Sequence, residues 1–323
     1  MAASDGSGTV FTRSMAVART VDGAFVDGAL EPVAPLALHP AAHGLHYGST
    51  VFEGMKAHRG VDGVVRTFRL DAHLARLERS AAAVHLPVPP ADLVARLVRE
   101  VVADDLDAVP QPPGALYLRP ALVGTVPNIW AAAGPSTDAL LFVLAGPVSD
   151  YFGGGLRVLS LWCEEDLPRT TPQFGAVKAG ANYAMALGPT LRSRAEHGTD
   201  QVLFAPGGRL TETGAANLLL LSPDEVLTPA LDGTMLPGIT RDSLLTMARD
   251  AGMRVTERAM DLDDLRAWAA DGGEAAVCGT AAVMAPVGTV LRADGERITF
   301  ADGQVGEVTR DLTGRLRDLQ TAH

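Results

Sequence analysis

Short apolar runs alternate with stretches of helical period along the whole chain, and this alternation most limits the folds open to it. In the first half, residues 64–68 read as a strand. A helix then runs to about residue 84, with Leu70, Leu74, Leu77 and Ala81 at helical spacing and Asp71 placed to cap it. Pro87-Val88-Pro89-Pro90 breaks it, and a second helix opens at Ala91 with Leu93, Val94, Leu97, Val98, Val101 and Val102 on one face. Strands are expected at 116–123, 140–145 and 156–162. Between Glu164 and Gly175 the pattern lapses into charges, prolines and threonines, as in a linker or active-site loop. A helix over 182–197 stops at Gly198, and strands 201–205 and 209–213 join through Pro206-Gly207-Gly208. Strand 217–221, helix 240–251, strand 254–259, helix 262–270, strand 275–278 and helix 306–319 complete the chain. Strand pairs on short turns, interleaved with helices, favour an α+β (mixed α/β) fold over a strictly parallel sheet. The expected organisation is a small N-terminal α/β domain over 1–153, a linker and active-site loop over 154–177, and a large C-terminal domain over 178–323.

Bulk properties exclude several function classes. A chain of 323 residues suits one large or two medium domains, and 47% hydrophobic with 20% charged residues is ordinary globular composition. A net charge of −11 argues against nucleic acid, which needs a basic face. No apolar run approaches the roughly 18 residues of a membrane span. The first residues lack a basic-then-apolar signal pattern, and Cys163 and Cys278 stand far apart in no ligand spacing, so a cytoplasmic protein is expected. His39 and His43 are four apart, but Pro40 argues against a helix that would align them, and no metal site is expected.

Lys and Arg total 27, yet only Lys56 and Lys178 are lysines. Lys56 looks like an exposed strand end. Lys178 sits in Phe174-Gly175-Ala176-Val177-Lys178-Ala179-Gly180-Ala181-Asn182-Tyr183, among small and apolar neighbours. A desolvated lysine can lose its proton and attack a carbonyl, whereas a guanidinium stays charged; compositional drift is the bland alternative. Leu236-Pro237-Gly238-Ile239-Thr240-Arg241 leads into a helix whose first amides suit an anion, and Cys278-Gly279-Thr280-Ala281 offers amides and a hydroxyl after a strand. Such turns more often bind only water. Arg76 lies near the apolar stripe of its helix and needs an anion, either a protein carboxylate or a ligand phosphate. Glu212, in Thr211-Glu212-Thr213-Gly214-Ala215-Ala216-Asn217, is either a solvated hairpin acid or a buried acid for a ring nitrogen. Tyr117 and Arg119 alternate on one strand and share a face, lining a polar cavity unless a cross-strand salt bridge takes the arginine. A reactive lysine, phosphate-shaped turns, an arginine and a buried acid together suit pyridoxal phosphate.

On these residues the chain resembles the branched-chain amino acid aminotransferases, pyridoxal-phosphate enzymes of fold type IV. The resemblance runs through Leu45-His46-Tyr47-Gly48, Val51-Phe52-Glu53-Gly54, Leu116-Tyr117-Leu118-Arg119-Pro120, the Lys178 and Glu212 segments, Leu236–Arg241 and Gly279-Thr280-Ala281. It implies a two-domain architecture resembling D-amino acid aminotransferase, whose C-terminal domain binds the cofactor. It implies a Schiff base on Lys178, which then shuttles a proton between the substrate Cα and the cofactor C4′. Tyr183 would bond the phenolic oxygen and Glu212 the pyridine nitrogen, while Arg76, the Ile239 and Thr240 amides, the Thr240 hydroxyl and Thr280 would hold the phosphate. The substrate carboxylate would meet the Thr280 and Ala281 amides and Tyr117. Tyr47, Phe52 and Tyr151 would wall the side-chain pocket, and Arg119 would take the distal carboxylate of glutamate. The implied reaction is ping-pong transamination of branched-chain or related hydrophobic L-amino acids with 2-oxoglutarate, by a homodimer acting on small molecules. Departures bear on substrate: a stiffer Thr170-Thr171-Pro172-Gln173-Phe174 stretch before the lysine, Trp130 in the Pro127-Asn128-Ile129-Trp130 loop, and Ala215 where some relatives have Thr. Ala282 and Ala285 replace the cysteine pair of redox-regulated mammalian members. The alternatives are a transaminase for an aromatic or non-proteinogenic 2-oxo acid, a D-amino acid transaminase, or an aminodeoxychorismate lyase of the same fold.

Overall fold

The computed structural model describes residues 8–130, 132–149 and 156–322. It divides into two compact units. The first takes in Met1–Gly153, Val177–Gly180 and Gln320–His323, and the second Gly154–Ala176 and Ala181–Leu319. Of the stretch expected as a linker, residues 156–176 fall in the second unit and Val177 in the first. The lysine segment clusters with the first, because Val51 bridges Ala179 and the Phe52 amide donates to the Lys178 carbonyl at 3.1 Å.

The first unit is a sheet covered by helices. Its elements are β1 (Ser14–Val21), β2 (Ala24–Phe25), β3 (Ala29–Pro32), α1 (His43–Tyr47), β4 (Thr50–Phe52), β5 (Met55–Arg59), β6 (Val65–Thr67), α2 (Leu70–Ala83), α3 (Ala91–Asp104), β7 (Ala115–Gly124) and β8 (Ala139–Val148). The strands run β2-β1-β8-β7-β5-β6, all pairs antiparallel, with β3 on β1 and β4 on β7. The helical stripe of α3 forms as expected: Val94, Leu97, Val98, Val101 and Val102 are buried, and the helix packs on β1, β7 and β8. Asp71 does not cap α2. Arg69 occupies the N-cap in a left-handed conformation, and Asp71 lies in the first turn, where its charge meets the positive helix end. Along β7, Leu116, Leu118 and Leu122 are fully buried, while Tyr117 and Arg119 project from the opposite face.

In the second unit, β9 (Leu159–Glu164), α4 (Gly180–His197), β10 (Gln201–Phe204), β11 (Asn217–Leu221), β12 (Glu225–Pro229), α5 (Ile239–Asp250), β13 (Arg254–Arg258), α6 (Leu262–Ala270), β14 (Glu274–Gly279), β15 (Val283–Leu291), β16 (Arg297–Thr299) and α7 (Glu307–Thr321) follow in order. The sheet runs β10-β9-β15-β14-β11-β12-β13, with β16 on β15. It is mixed, for β9/β10, β9/β15 and β12/β13 are parallel. β11 is buried along its whole length, as a central strand covered on both faces should be. Gly198 closes α4 at φ 67°, a left-handed position that glycine fills without strain. Residues 209–213 form no strand. Their backbone bonds go to different partners in turn: Leu210 to Met260, Thr211 to Phe204 and Thr213 to Ala216. The buried Glu274 carboxylate accepts the Val308 and Thr309 amides at 2.8 Å each, anchoring the first turn of α7. No helix among the described residues is long and apolar enough to cross a membrane.

Lys56 is buried rather than an exposed strand end, because β5 lies between β6 and β7. His58, two residues on and sharing its face, is 6% exposed, and its Nε2 has no hydrogen-bond partner among the described residues. Burial, helped by the Lys56 charge, pushes the His58 ring from 6.5 down to about 4. A depressed pKa means the unfolded chain takes up the proton first. This group's stabilisation is therefore full above about pH 6.5 and lost as pH falls through 4, an effect of a few kcal/mol. Urea melts across this window should show a steeper loss of stability in the native protein than in His58→Gln. Equal slopes would contradict a neutral buried imidazole.

Candidate active site

In the first unit the candidate functional side chains come from the end of β4 (Phe52), the Glu53 position just after it, one face of β7 (Tyr117, Arg119), one stripe of α2 and the Lys178 segment. Lys178 is 9% exposed; its amide donates to Ser80 Oγ at 3.1 Å, and its Nζ lies 5.1 Å from the centre of the Phe52 ring. Burial, reinforced by the positive charges of Arg76 and Arg119 and opposed by Glu53 and Tyr117, pushes its amine from 10.5 down to about 8. Within reach of neutral pH, such an amine is a usable nucleophile and base.

Arg76 is buried and pairs with Glu53: Nε donates to Oε1 at 2.7 Å and Nη2 to Oε2 at 3.0 Å. Of the two anions that could satisfy Arg76, the structure thus supplies the carboxylate. His73 Nδ1 stands 2.6 Å from Glu53 Oε2, and the Gly54 amide donates to the same oxygen at 3.1 Å. Burial pushes the Glu53 carboxyl up, but the hydrogen bonds of His73 and Arg76 and their charges outweigh it and hold it down at about 2. An ionised carboxylate has no proton to give, so Nδ1 of His73 is the donor.

Arg119 Nη2 donates to the Tyr117 hydroxyl at 3.1 Å, and its guanidinium lies 4.5 Å from the Phe52 ring centre. No described carboxylate is within ion-pair distance, which removes the salt-bridge explanation for Arg119. Its buried Nε has no hydrogen-bond partner among the described residues. Gly54 makes room for this pair, because a Cβ there would stand 2.0 Å from the Tyr117 hydroxyl. Tyr47, half-buried on α1, donates to the Ile129 carbonyl. Tyr151 lies outside the described residues.

In the second unit Glu212 is 2% exposed, not a solvated hairpin acid. Its Oε1 accepts from Arg169 Nη1 at 2.8 Å and the Leu236 amide at 2.9 Å, and its Oε2 from Asn217 Nδ2 at 3.1 Å. Asn217 Nδ2 also donates to the Leu236 carbonyl at 3.0 Å, and a Cβ on Gly238 would meet Asn217 Oδ1 at 2.0 Å. The acid and the Leu236–Gly238 turn are therefore one locked assembly. Ile239 and Thr240 follow as the first residues of α5, which no side chain caps. Arg241 ties that end of the helix down through the Pro229 carbonyl at 3.0 Å and Glu257 at 2.8 Å.

Thr280 and Ala281 lie in the turn between β14 and β15, and Val283, the first residue of β15, sits at φ 59°. That left-handed conformation is costly for a β-branched residue and fixes the turn. Tyr183 lies on α4 with the Arg169 guanidinium 5.7 Å from its ring centre. Sequence reasoning missed Arg169, Asn217, Ser80, His73 and the role of Glu53. No sequence signal pointed to Arg169, which stands 43 residues from Glu212 in the chain. Cys163 and Cys278 are buried, and burial pushes both thiols up to about 12.

These groups fit pyridoxal phosphate. The first unit carries a desolvated amine for its aldehyde. The second carries a carboxylate ion-paired to Arg169, suited to a protonated ring nitrogen, and an uncapped helix start, suited to a phosphate.

The Amino-transferase class IV family matches residues 50–290. The chain is 38% identical to the branched-chain-amino-acid aminotransferase of Mycolicibacterium smegmatis, covering 98% of this chain and 89% of that protein. Among solved structures it resembles the branched-chain amino acid aminotransferase from Thermobaculum terrenum in its pyridoxal-phosphate form (TM-score 0.76, 21% identity, 96% and 94% of the two chains). It also resembles the Escherichia coli branched-chain amino acid aminotransferase (TM-score 0.74, 27% identity, 91% and 92%). The chain belongs to the branched-chain amino acid aminotransferase family, the fold-type IV, pyridoxal-phosphate-dependent aminotransferases of class IV.

Proposed function

We propose that this aminotransferase moves the amino group of branched-chain or related hydrophobic L-amino acids to 2-oxoglutarate, with Lys178 as its catalytic residue. The observation that carries the reading is the Lys178 amine, buried beside Phe52 and lowered to about 8, in the same unit as an arginine that no described carboxylate pairs. When bound, pyridoxal phosphate supplies the electrophilic aldehyde and an electron sink. Lys178 Nζ would then serve as the base that moves the substrate Cα proton. Glu212 keeps the ring nitrogen protonated, and Tyr183 orients the phenolic oxygen. Arg76, the Ile239 and Thr240 amides, the Thr240 hydroxyl and Thr280 bind the phosphate. The Thr280 and Ala281 amides and Tyr117 receive the substrate carboxylate, Tyr47 and Phe52 contact its side chain, and Arg119 receives the distal carboxylate of glutamate. The relatives' names support the substrate class, and a cytoplasmic homodimer is part of the same proposal. A second reading, an aromatic or non-proteinogenic 2-oxo acid, is favoured by Trp130, an aromatic side chain 90% exposed.

Three measurements test this proposal. Lys178→Ala should lack the visible absorption of the lysine-bound cofactor and lose roughly 10⁴-fold or more in turnover; an unchanged spectrum would exclude Lys178 as the attachment point. An amino-donor panel read through glutamate formation should rank leucine, isoleucine and valine first, and inactivity of all three would reject the branched-chain assignment while leaving transamination intact. In Arg119→Ala, KM for 2-oxoglutarate should rise about 10–100-fold, the worth of one or two charged hydrogen bonds, with a much smaller change for leucine. Equal losses for both would remove the distal-carboxylate role.

A further inference from the structure

We infer that Glu53 and His73 are positioning residues for Arg76: they hold one edge of its guanidinium in a fixed fork and so set the direction in which Arg76 meets the cofactor phosphate. This rests on the reading of Arg76 as a phosphate ligand.

The geometry is that of an orienting clamp. Glu53 is fully buried and takes the Nε–Nη2 edge of Arg76 in a two-bond fork, 2.7 and 3.0 Å. Such a planar pairing fixes the rotation of the guanidinium, which a single contact leaves open. The carboxylate is itself held. His73 Nδ1 donates to Oε2 at 2.6 Å, and the Gly54 amide to the same oxygen at 3.1 Å. His73, Arg76 and Ser80 lie at successive turns of one face of α2, with Ser80 accepting the Lys178 amide at 3.1 Å. One helix face therefore orders both the lysine backbone and the arginine. The price of burying a carboxylate is met four times over in hydrogen bonds. A plain anion for Arg76 would need neither the histidine nor the two-bond geometry.

A purely structural role for Glu53 would weaken all cofactor binding alike, whereas an orienting role acts on the phosphate alone. The full-length protein, freed of cofactor, is titrated with pyridoxal phosphate and with pyridoxal, and the ratio of their affinities is the readout. Glu53→Gln, which keeps the size but turns a donor toward Arg76, should lower the preference for the phosphorylated form by about 10-fold. His73→Leu should lower it less, and His73→Asn, which keeps a donor near the Nδ1 position, should restore it. If Glu53→Gln does not accumulate as folded protein, the two His73 variants carry the test. A ratio unchanged or raised in Glu53→Gln, or identical in both His73 variants, would overturn the inference. Arg76→Met separates the two levels of the argument. If it keeps the preference, the phosphate reading of Arg76 falls. If it collapses the preference while the Glu53 and His73 variants keep it, only the positioning role falls.

Discussion

The removal of one ammonium from water organises the first unit. Lys178 is buried against Phe52, and a charged amine there is expensive, so its proton is held loosely. Arginine could not serve, since a guanidinium keeps its charge through the same burial. The field around the amine is mixed. Arg76 and Arg119 push its proton off, while Glu53 restrains them. Glu53 can sit without solvent because His73, Arg76 and the Gly54 amide satisfy it. Strip those donors away and the cost of a buried carboxylate is no longer offset.

The second unit solves the inverse problem, keeping an anion ready rather than a cation neutral. Arg169, Asn217 and the Leu236 amide surround Glu212 with donors. Asn217 also grips the turn before α5, and Gly238 is small enough to let it do so. A carboxylate and a helix start are thereby held by one amide side chain. Displacement of either would be felt by the other, because the packed turn has no slack for a Cβ.

Much of this was legible in the chain. The stripes of α2 and α3, the stop of α4 at Gly198 and the alternation of Tyr117 and Arg119 all followed from period and turn chemistry. Strands β12, β15 and β16 and the whole of β1 to β5 did not. Several are short, and the longer β15 is buried on both faces, so it lacks the alternation that announces a half-exposed strand. Residues 209–213 looked like a strand because local composition cannot show that a segment's bonds go to different partners. Lys56 misled for a related reason, since nothing local reveals that β5 is flanked on both sides.

By itself, the sequence determined which side chains could do chemistry: one lysine among small residues, an arginine beside an apolar stripe, an acid near a turn. Only the tertiary structure decided what each is charged against. Glu53 reaches His73 across 20 positions and Arg76 across 23, Lys178 reaches Ser80 across 98, and Glu212 reaches Arg169 across 43. Helical and strand periods report neighbours a few residues away. Desolvation and ion pairing depend on what the folded chain brings close, and so the pKa of Lys178 and the orientation of Arg76 belong to the fold.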